Sequence, residues 1–278
     1  MRRVARPPAD VALAATLHDA RGALRADVER FLPRLQAMYR GIAVTTTPGT
    51  APRIVARLAA AGVHAGTAPS NLRGPLYRLA LRRAQALGAP AVHYVDFDRA
   101  LHWMRRAPRE LRAVLRLARR HPLVVVGRTD KAHRSHHVPL YATEALANRL
   151  VAARLGIAGR MDFLAPSFLL TRELVATLLA RSRARDEGLY GEWPALLCGL
   201  GVPVAYVECR GLDWETPDRH RRTIRRVGLP AWRKRWSNPA EWDLRVGLAA
   251  AVVRTATEAV RRRPASPPVV VRVAPRVG

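Results

Sequence analysis

The chain has 278 residues, 49% of them hydrophobic, and a formal net charge of +27, which gives enough apolar material for one large α/β domain or two small ones. No run of about eighteen apolar residues is present, and the arginine-bearing N-terminus lacks an apolar core of signal-peptide length, so a cytoplasmic protein without a membrane span is expected. The charge brings nucleic acid, anionic lipid and phosphorylated substrates into view as partners. Lysine, however, occurs only at Lys131 and Lys234, and the arginine comes with abundant alanine, proline, leucine and valine, the bias of a GC-rich genome. The basic residues are spread along the chain, and no aromatic residue interrupts the run from Arg105 to Arg120, so nucleic acid is the lesser reading. Cys198 and Cys209 have no metal-ligand spacing around them and are expected to be buried thiols.

Val11 to Leu17 predicts a buried strand, followed by the polar loop His18 to Gly22. Leu24, Val28, Phe31, Leu32 and Leu35 then recur at helical spacing, interrupted by Pro33. Ile42 to Thr46 predicts a second strand, Pro52 to Ala61 a helix stopped by Gly62, and Val63 to Thr67 a short third strand. Alternating strands and helices predict a parallel sheet. The loop Ala68 to Pro75 precedes a helix with Leu76, Leu79, Ala80, Ala84 and Leu87 on one face. The exposed N–H groups at its start suit a diphosphate, although Pro75 in a plain first turn accounts for the same residues.

The stretch Ala91-Val92-His93-Tyr94-Val95-Asp96-Phe97-Asp98-Arg99 predicts a buried strand that delivers two carboxylates at its end. In an open α/β sheet, that end is where ligands bind. On a strand, Asp96 and Asp98 point to the same side; if the chain leaves the sheet at this point, both can meet one hard divalent cation, or one can hold the metal while the other takes a sugar hydroxyl.

Pro108 to His121 predicts a helix and Leu123 to Val126 a fifth strand, with Gly127-Arg128-Thr129-Asp130 at its carboxyl end. His133, His136 and His137 follow in a polar loop and are expected to face solvent. Helices are predicted over Thr143 to Leu155 and Thr171 to Arg181, with an irregular segment Met161 to Ser167 between them and the charged linker Arg181 to Glu187 after them. Gly188 to Pro194 presents Glu192 just ahead of a helix over Ala195 to Leu200. Val202 to Glu208 predicts the final strand, leading into the loop Arg210 to His220, where Trp214 is mixed with acidic residues. Trp232, Trp236 and Trp242 lie in a basic stretch and form either a packed cap or one wall of an acceptor site. Gly247 to Val260 predicts a last helix, and Arg261 to Gly278, with four prolines, a flexible tail. The expected organisation is an N-terminal arm (1–10), a catalytic domain (11–222), an irregular C-terminal cap with a helix (223–262) and the tail (263–278).

The order of these features resembles the GT-A fold of nucleotide-sugar glycosyltransferases, a Rossmann-like, mostly parallel sheet flanked by helices. The branch it resembles is the family-2-like one that includes glucosyl-phosphoglycerate and mannosylglycerate synthases, and the resemblance covers roughly Val11 to Arg222. It implies transfer of a sugar from a UDP- or GDP-linked donor, assisted by Mg²⁺ or Mn²⁺, to a small acceptor. His18 and Asp19 would then meet the nucleotide base; Asn71, Arg73, Gly74 and Arg78 the base and diphosphate; and Asp96 the ribose. Asp98 and His220 would hold the metal, whose charge offsets that of the departing diphosphate. Gly127, Arg128 and Thr129 would flank the acceptor, the arginine suiting a carboxylate or phosphate on it. Glu192 is the expected base or acceptor-positioning carboxylate, and the C-terminal segment could form a homodimer contact. Two other readings are an arginine-rich binder of nucleic acid or anionic surfaces and a haloacid-dehalogenase-like phosphatase. The phosphatase family also uses two aspartates at this spacing, but at its first strand.

Overall fold

The computed structural model describes residues 10–262 and 267–275. Of the expected N-terminal arm, residues 1–9 lie outside this range. The chain begins with β1 (Val11–Leu17), α1 (Arg25–Gln36), β2 (Gly41–Thr46), α2 (Pro52–Ala60), β3 (His64–Thr67), α3 (Arg73–Gln85) and β4 (Ala91–Tyr94). It continues through α4 (Phe97–Arg106), α5 (Pro108–Leu115), β5 (Leu123–Arg128), α6 (Asp130–Arg134), α7 (Val138–Arg154), β6 (Phe168–Thr171), α8 (Arg172–Arg181), α9 (Leu189–Cys198) and β7 (Val204–Cys209). The last elements are α10 (Arg221–Val227), α11 (Leu229–Lys234), α12 (Pro239–Arg261) and β8 (Val270–Arg272).

The strands form one sheet in the order β3-β2-β1-β4-β6-β5-β7-β8. All neighbours are parallel except β6, which runs antiparallel to both β4 and β5. The inner strands are buried on both faces, and so they read as continuous apolar runs. Core residues of α1, α2, α4 and α5 pack on one face of the sheet, while those of α3, α7, α8, α9 and α12 pack on the other. From β1 the chain passes to β2 on one side, yet β4 joins β1 on the other side. The crevice beyond the carboxyl ends of β1 and β4 is therefore the topological switch point of the sheet.

Two expectations change here. The strand leading to Asp96 stops at Tyr94, and Asp96 stands at the N-cap position of α4 without a side-chain capping bond, with Asp98 in the first turn. The two carboxylates thus leave the sheet on a strand-to-helix corner and do not lie side by side on a strand. The expected flexible tail contains β8, which pairs with β7 from Val204↔Val270 to Tyr206↔Arg272. Its Val-Val-Arg-Val sequence, after Pro267-Pro268, supplies an edge strand.

Helix α12 crosses α9 closely. A Cβ at Gly191 would lie 2.0 Å from the Val252 carbonyl oxygen and 3.0 Å from the Ala256 nitrogen. Gly191→Ala is therefore expected to destabilise the fold by about 1–3 kcal/mol, measured by urea denaturation. Gly247→Ala, whose added Cβ meets nothing within 4 Å, should be neutral or stabilising by up to about 1 kcal/mol in the same assay.

Candidate active site

A cavity of about 670 Å³ opens at the switch point. The end of β1 and the loop after it contribute Thr16, Leu17 and His18, the loop after β2 contributes Thr47, and the approach to α3 contributes Asn71 and Arg73. The β4–α4 corner brings in Asp96, Asp98 and Arg99. The opposite side is built from α7 (Leu140, Thr143, Glu144), the segment after β7 (Trp214, Glu215, Arg219, His220), Trp236 and one face of α12.

Asp96 sits in a nest of hydroxyls. Its Oδ1 accepts from Thr16 Oγ1 at 2.7 Å, Tyr77 Oη at 3.1 Å and Tyr94 Oη at 3.2 Å. Tyr77 Oη in turn lies 2.6 Å from Tyr190 Oη. Burial raises the Asp96 pKa, the neighbouring Asp98 adds to the rise, and the Arg99 and Arg73 guanidinium groups oppose it. The oxygen away from the hydroxyls has only long contacts, to Tyr77 at 3.5 Å and Arg99 Nε at 4.0 Å. Asp98 accepts the Arg99 N–H at 2.9 Å with one oxygen and pairs with Arg219 Nη2 at 2.6 Å through the other. Arg219 also donates to the His18 carbonyl, so it spans the cavity mouth from the Asp98 side to the β1 side. His220 lies beside it with its ring 5.1 Å from that of Trp232. Burial, followed by Arg219 and Arg21, lowers the His220 pKa and keeps the imidazole neutral, as a metal ligand must be.

Among the described residues, no three His, Cys, Asp or Glu side chains are gathered as a metal centre. The cavity offers a hard cation Asp98 and His220, with Glu215 nearby, whose Oε2 is buried without a hydrogen-bond partner. Mg²⁺ in nucleotide sites is commonly held by one or two carboxylates together with substrate phosphates. This donor set fits a cation that arrives with a diphosphate, once Arg219 has left Asp98.

The cavity thus gathers His18, Asn71, Arg73, Asp96, Asp98 and His220 from the sequence-derived residues. The others lie outside its lining, each with a structural task. The Asp19 carboxylate accepts the N–H groups of Ala23 and Leu24 at 2.9 Å each, fixing the turn into α1. Gly74 packs against the 184–185 backbone, and a Cβ there would come within 1.8 Å of the Ala184 oxygen. Arg78 holds the same segment through Ser182 Oγ at 3.2 Å and the Ala184 carbonyl at 2.7 Å. Glu192 is 7% exposed and accepts from Ser182 Oγ at 2.5 Å and from the N–H groups of Arg183 and Ala184. It pins the loop expected to be a charged linker and lies outside the cavity lining.

Arg128 is completely buried. Its Nε and Nη2 meet Asp162 at 2.7 and 2.9 Å, and Nη2 meets Glu144 at 2.6 Å. Two carboxylates already neutralise it, and the Arg128 charge holds Asp162 well below the usual carboxylate range despite its burial. Gly127 is a glycine because a Cβ would lie 2.5 Å from Tyr206 Oη, and Thr129 caps α6 by accepting the Ala132 N–H. His133, His136 and His137 are buried rather than solvent-facing. They turn inward against Tyr141, Trp214 and Trp236, and burial holds His136 well below its ordinary pKa. Thr16, Tyr190, Glu215, Arg219 and Arg245 escaped the sequence reading. Only Glu215 and Arg219 carried a signal, their place in an acid-rich loop after a strand.

No family model matches the sequence, and no curated protein matches it. Solved structures do. A crystal structure of glucosyl-3-phosphoglycerate synthase from Mycobacterium tuberculosis with Mn²⁺, UDP and phosphoglyceric acid superposes with a TM-score of 0.53 at 17% identity, covering 92% of this chain and 80% of that one. Another crystal structure of the same synthase gives 0.54 at 16% identity, with 92% and 82% covered. The complex with Mg²⁺ and UDP gives 0.51 at 15% identity, with 92% and 81% covered. The chain has the GT-A fold of that synthase. No helix among the described residues is long and apolar enough to cross a membrane.

The loop carrying Glu215, Arg219 and His220 is tied to α4 by His102, whose Nε2 meets Asp213 and whose Nδ1 meets Asp218, both at 2.8 Å. Burial disfavours the His102 charge, but the two carboxylates outweigh it and raise the pKa to about 9. Because the folded value lies above the unfolded one of about 6.5, the stabilisation is fully present below pH 6.5 and is lost as pH rises through about 9. Thermal unfolding is expected to show this loss, ~3 kcal/mol at most, between those pH values in the wild type, and a flatter profile in His102→Gln.

Proposed function

We propose that the chain is a metal-dependent glycosyltransferase that moves a sugar from a UDP- or GDP-linked donor to a small hydroxyl acceptor in the cytoplasm. The observation that carries this reading is the convergence of His18, Asn71, Arg73, Asp96, Asp98 and His220 on one cavity at the switch point, in a fold shared with a synthase solved with UDP and Mn²⁺. In this reading His18 and Asn71 line the base pocket and Arg73 faces the diphosphate. Asp96, held by its three hydroxyl donors, accepts from the ribose. Asp98 and His220 hold Mg²⁺ or Mn²⁺, which supplies positive charge where the leaving diphosphate develops its negative charge. Arg219 exchanges its contact with Asp98 for the diphosphate, keeping a cation beside the leaving group. The acceptor lies on the α7–α12 side, where the charge of Arg245 is already matched by Glu241. With Glu192 occupied by the 182–184 segment, the carboxylate that lines the cavity on that side and keeps an unpartnered oxygen is Glu215.

The test is calorimetric titration of UDP and GDP into the wild type and Asp98→Ala, with and without Mn²⁺. One nucleotide is expected to bind at least about tenfold more tightly with Mn²⁺, a gain of ~1.4 kcal/mol, and Asp98→Ala should lose that gain. Metal-independent binding, or a variant that behaves like the wild type, would overturn the assignment.

A further inference from the structure

The end of the cavity away from Asp96 differs in character from the donor side. Trp214, Trp236 and His137 form an aromatic wall there, with ring centroids 6.5 Å apart for the two indoles, 5.5 Å for His137 and Trp214, and 5.8 Å for His137 and Trp236. The same end is lined by one stripe of α12, Arg245, Leu248, Ala249 and Val252, at the spacing that puts four side chains on one helical face.

The wall is held in place from behind. Ser135 Oγ accepts the Trp214 N–H at 2.9 Å, Trp232 stacks on Trp214 at 5.0 Å, and the Arg233 guanidinium donates to the His136 and Arg134 carbonyls. Trp236 is half-buried, at the turn between α11 and α12. Charge does not set the preference of this end. Each of the four arginines lining the cavity already has a carboxylate partner: Arg73 with Glu187, Arg99 with Glu215, Arg219 with Asp98 and Arg245 with Glu241. Polar capacity is nevertheless left over beside the wall. Glu215 Oε2 and His136 Nε2, 3.9 Å apart, are both buried and unpartnered.

An electron-rich indole face attracts weakly positive C–H groups and tolerates no charge of its own sign, while an unpartnered carboxylate oxygen seeks a hydroxyl donor. A molecule with a flat C–H face and hydroxyls around its edge satisfies both. We propose that this end is a subsite for a pyranose ring, so that the acceptor is itself a sugar, glycoside or sugar acid, with the ring lying on the half-buried Trp236, against Trp214 whose plane is turned 84° from it, and a ring hydroxyl donating to Glu215. A three-carbon acid would leave the aromatic wall and the α12 stripe uncovered. This deepens the proposed transferase reading and rests on it for the word acceptor. The ring subsite itself does not depend on the donor.

Saturation-transfer NMR on the full chain, with irradiation of aromatic protons, tests the proposal. The probes are methyl glucoside, methyl glucuronide and 3-phosphoglycerate, each added with UDP and Mn²⁺. Ring C–H signals of at least one methyl pyranoside should be saturated, should fall at least fivefold in Trp236→Ala and in Ala249→Trp, which fills space at the same end of the cavity, and should be largely kept in Trp236→Phe. UDP affinity should stay within twofold throughout, which shows that the variants are folded. If no pyranoside is saturated, if only 3-phosphoglycerate is, or if the pyranoside signals survive both disruptive variants, the ring subsite is overturned. Failure of UDP to bind the wild type in the same samples overturns the donor assignment instead, and the ring signals still decide the subsite.

Discussion

The site depends on the way the chain leaves β1. Its connection carries it to β2 on one side, while β4 reaches β1 from the other, so no crossover covers the ground beyond the carboxyl ends of these two strands. Backbone that ends there needs partners, and the partners are polar. Thr16 at the end of β1 and Tyr94 at the end of β4 turn their hydroxyls to the same Asp96 oxygen. A carboxylate that water cannot reach well is thereby fixed in orientation, at the cost of a raised pKa.

The second half of the cavity is assembled from parts far apart in sequence and is held by ion pairs as much as by apolar packing. The segment from Gly211 to His220 carries only a short 3-10 helix (Thr216–His220) and is fixed by His102 between Asp213 and Asp218, by Arg105 on Asp218, and by Arg219 on Asp98. Beneath it, Arg128 with Asp162 forms a fully buried pair, joined by Glu144 from the cavity wall. Clusters of this kind add little net stability, but removing one member costs about 3–5 kcal/mol because a charge is left unpaired in the interior. Their value is in position: Glu144 and Glu215 are placed to within a rotamer at the cavity wall.

The overall charge takes on a different meaning once these pairs are seen. Of 21 acidic residues against 48 lysines and arginines, several are committed to the cavity and the buried clusters, where each is matched to arginine. The arginine excess in the sequence therefore says little about the site, in which carboxylates and cations are nearly balanced. It is the aromatic wall, and not the charge, that distinguishes the acceptor side.

Much of the fold was legible because its signals are local. Apolar β-branched runs gave β1, β2, β4, β5 and β7, and glycine or proline punctuation gave most helix ends. The four-residue β6 was lost because it runs directly into α8, and β8 because proline-rich flanks hid three strand residues. Of the expected site residues, His18, Asp96 and Asp98 line the cavity, since a strand end has a fixed place in such a sheet. Asp19, Gly74, Arg78, Arg128 and Glu192 lie outside its lining, and in sequence a residue beside a turn looks the same whether it faces a ligand or ties down a neighbouring loop. By itself the sequence determined the alternation of strands and helices, the mostly parallel sheet and the pair of carboxylates at the end of the fourth strand, all consequences of patterns within about ten residues. Only the tertiary structure decided which carboxylates are already neutralised, that three histidines are buried, and that Trp214, Trp236 and α12 line the same end of the cavity. Those outcomes depend largely on partners distant in sequence, from 16 residues for Arg128 and Glu144 to 121 for Asp98 and Arg219, and no local pattern encodes which buried charge will find which counter-charge.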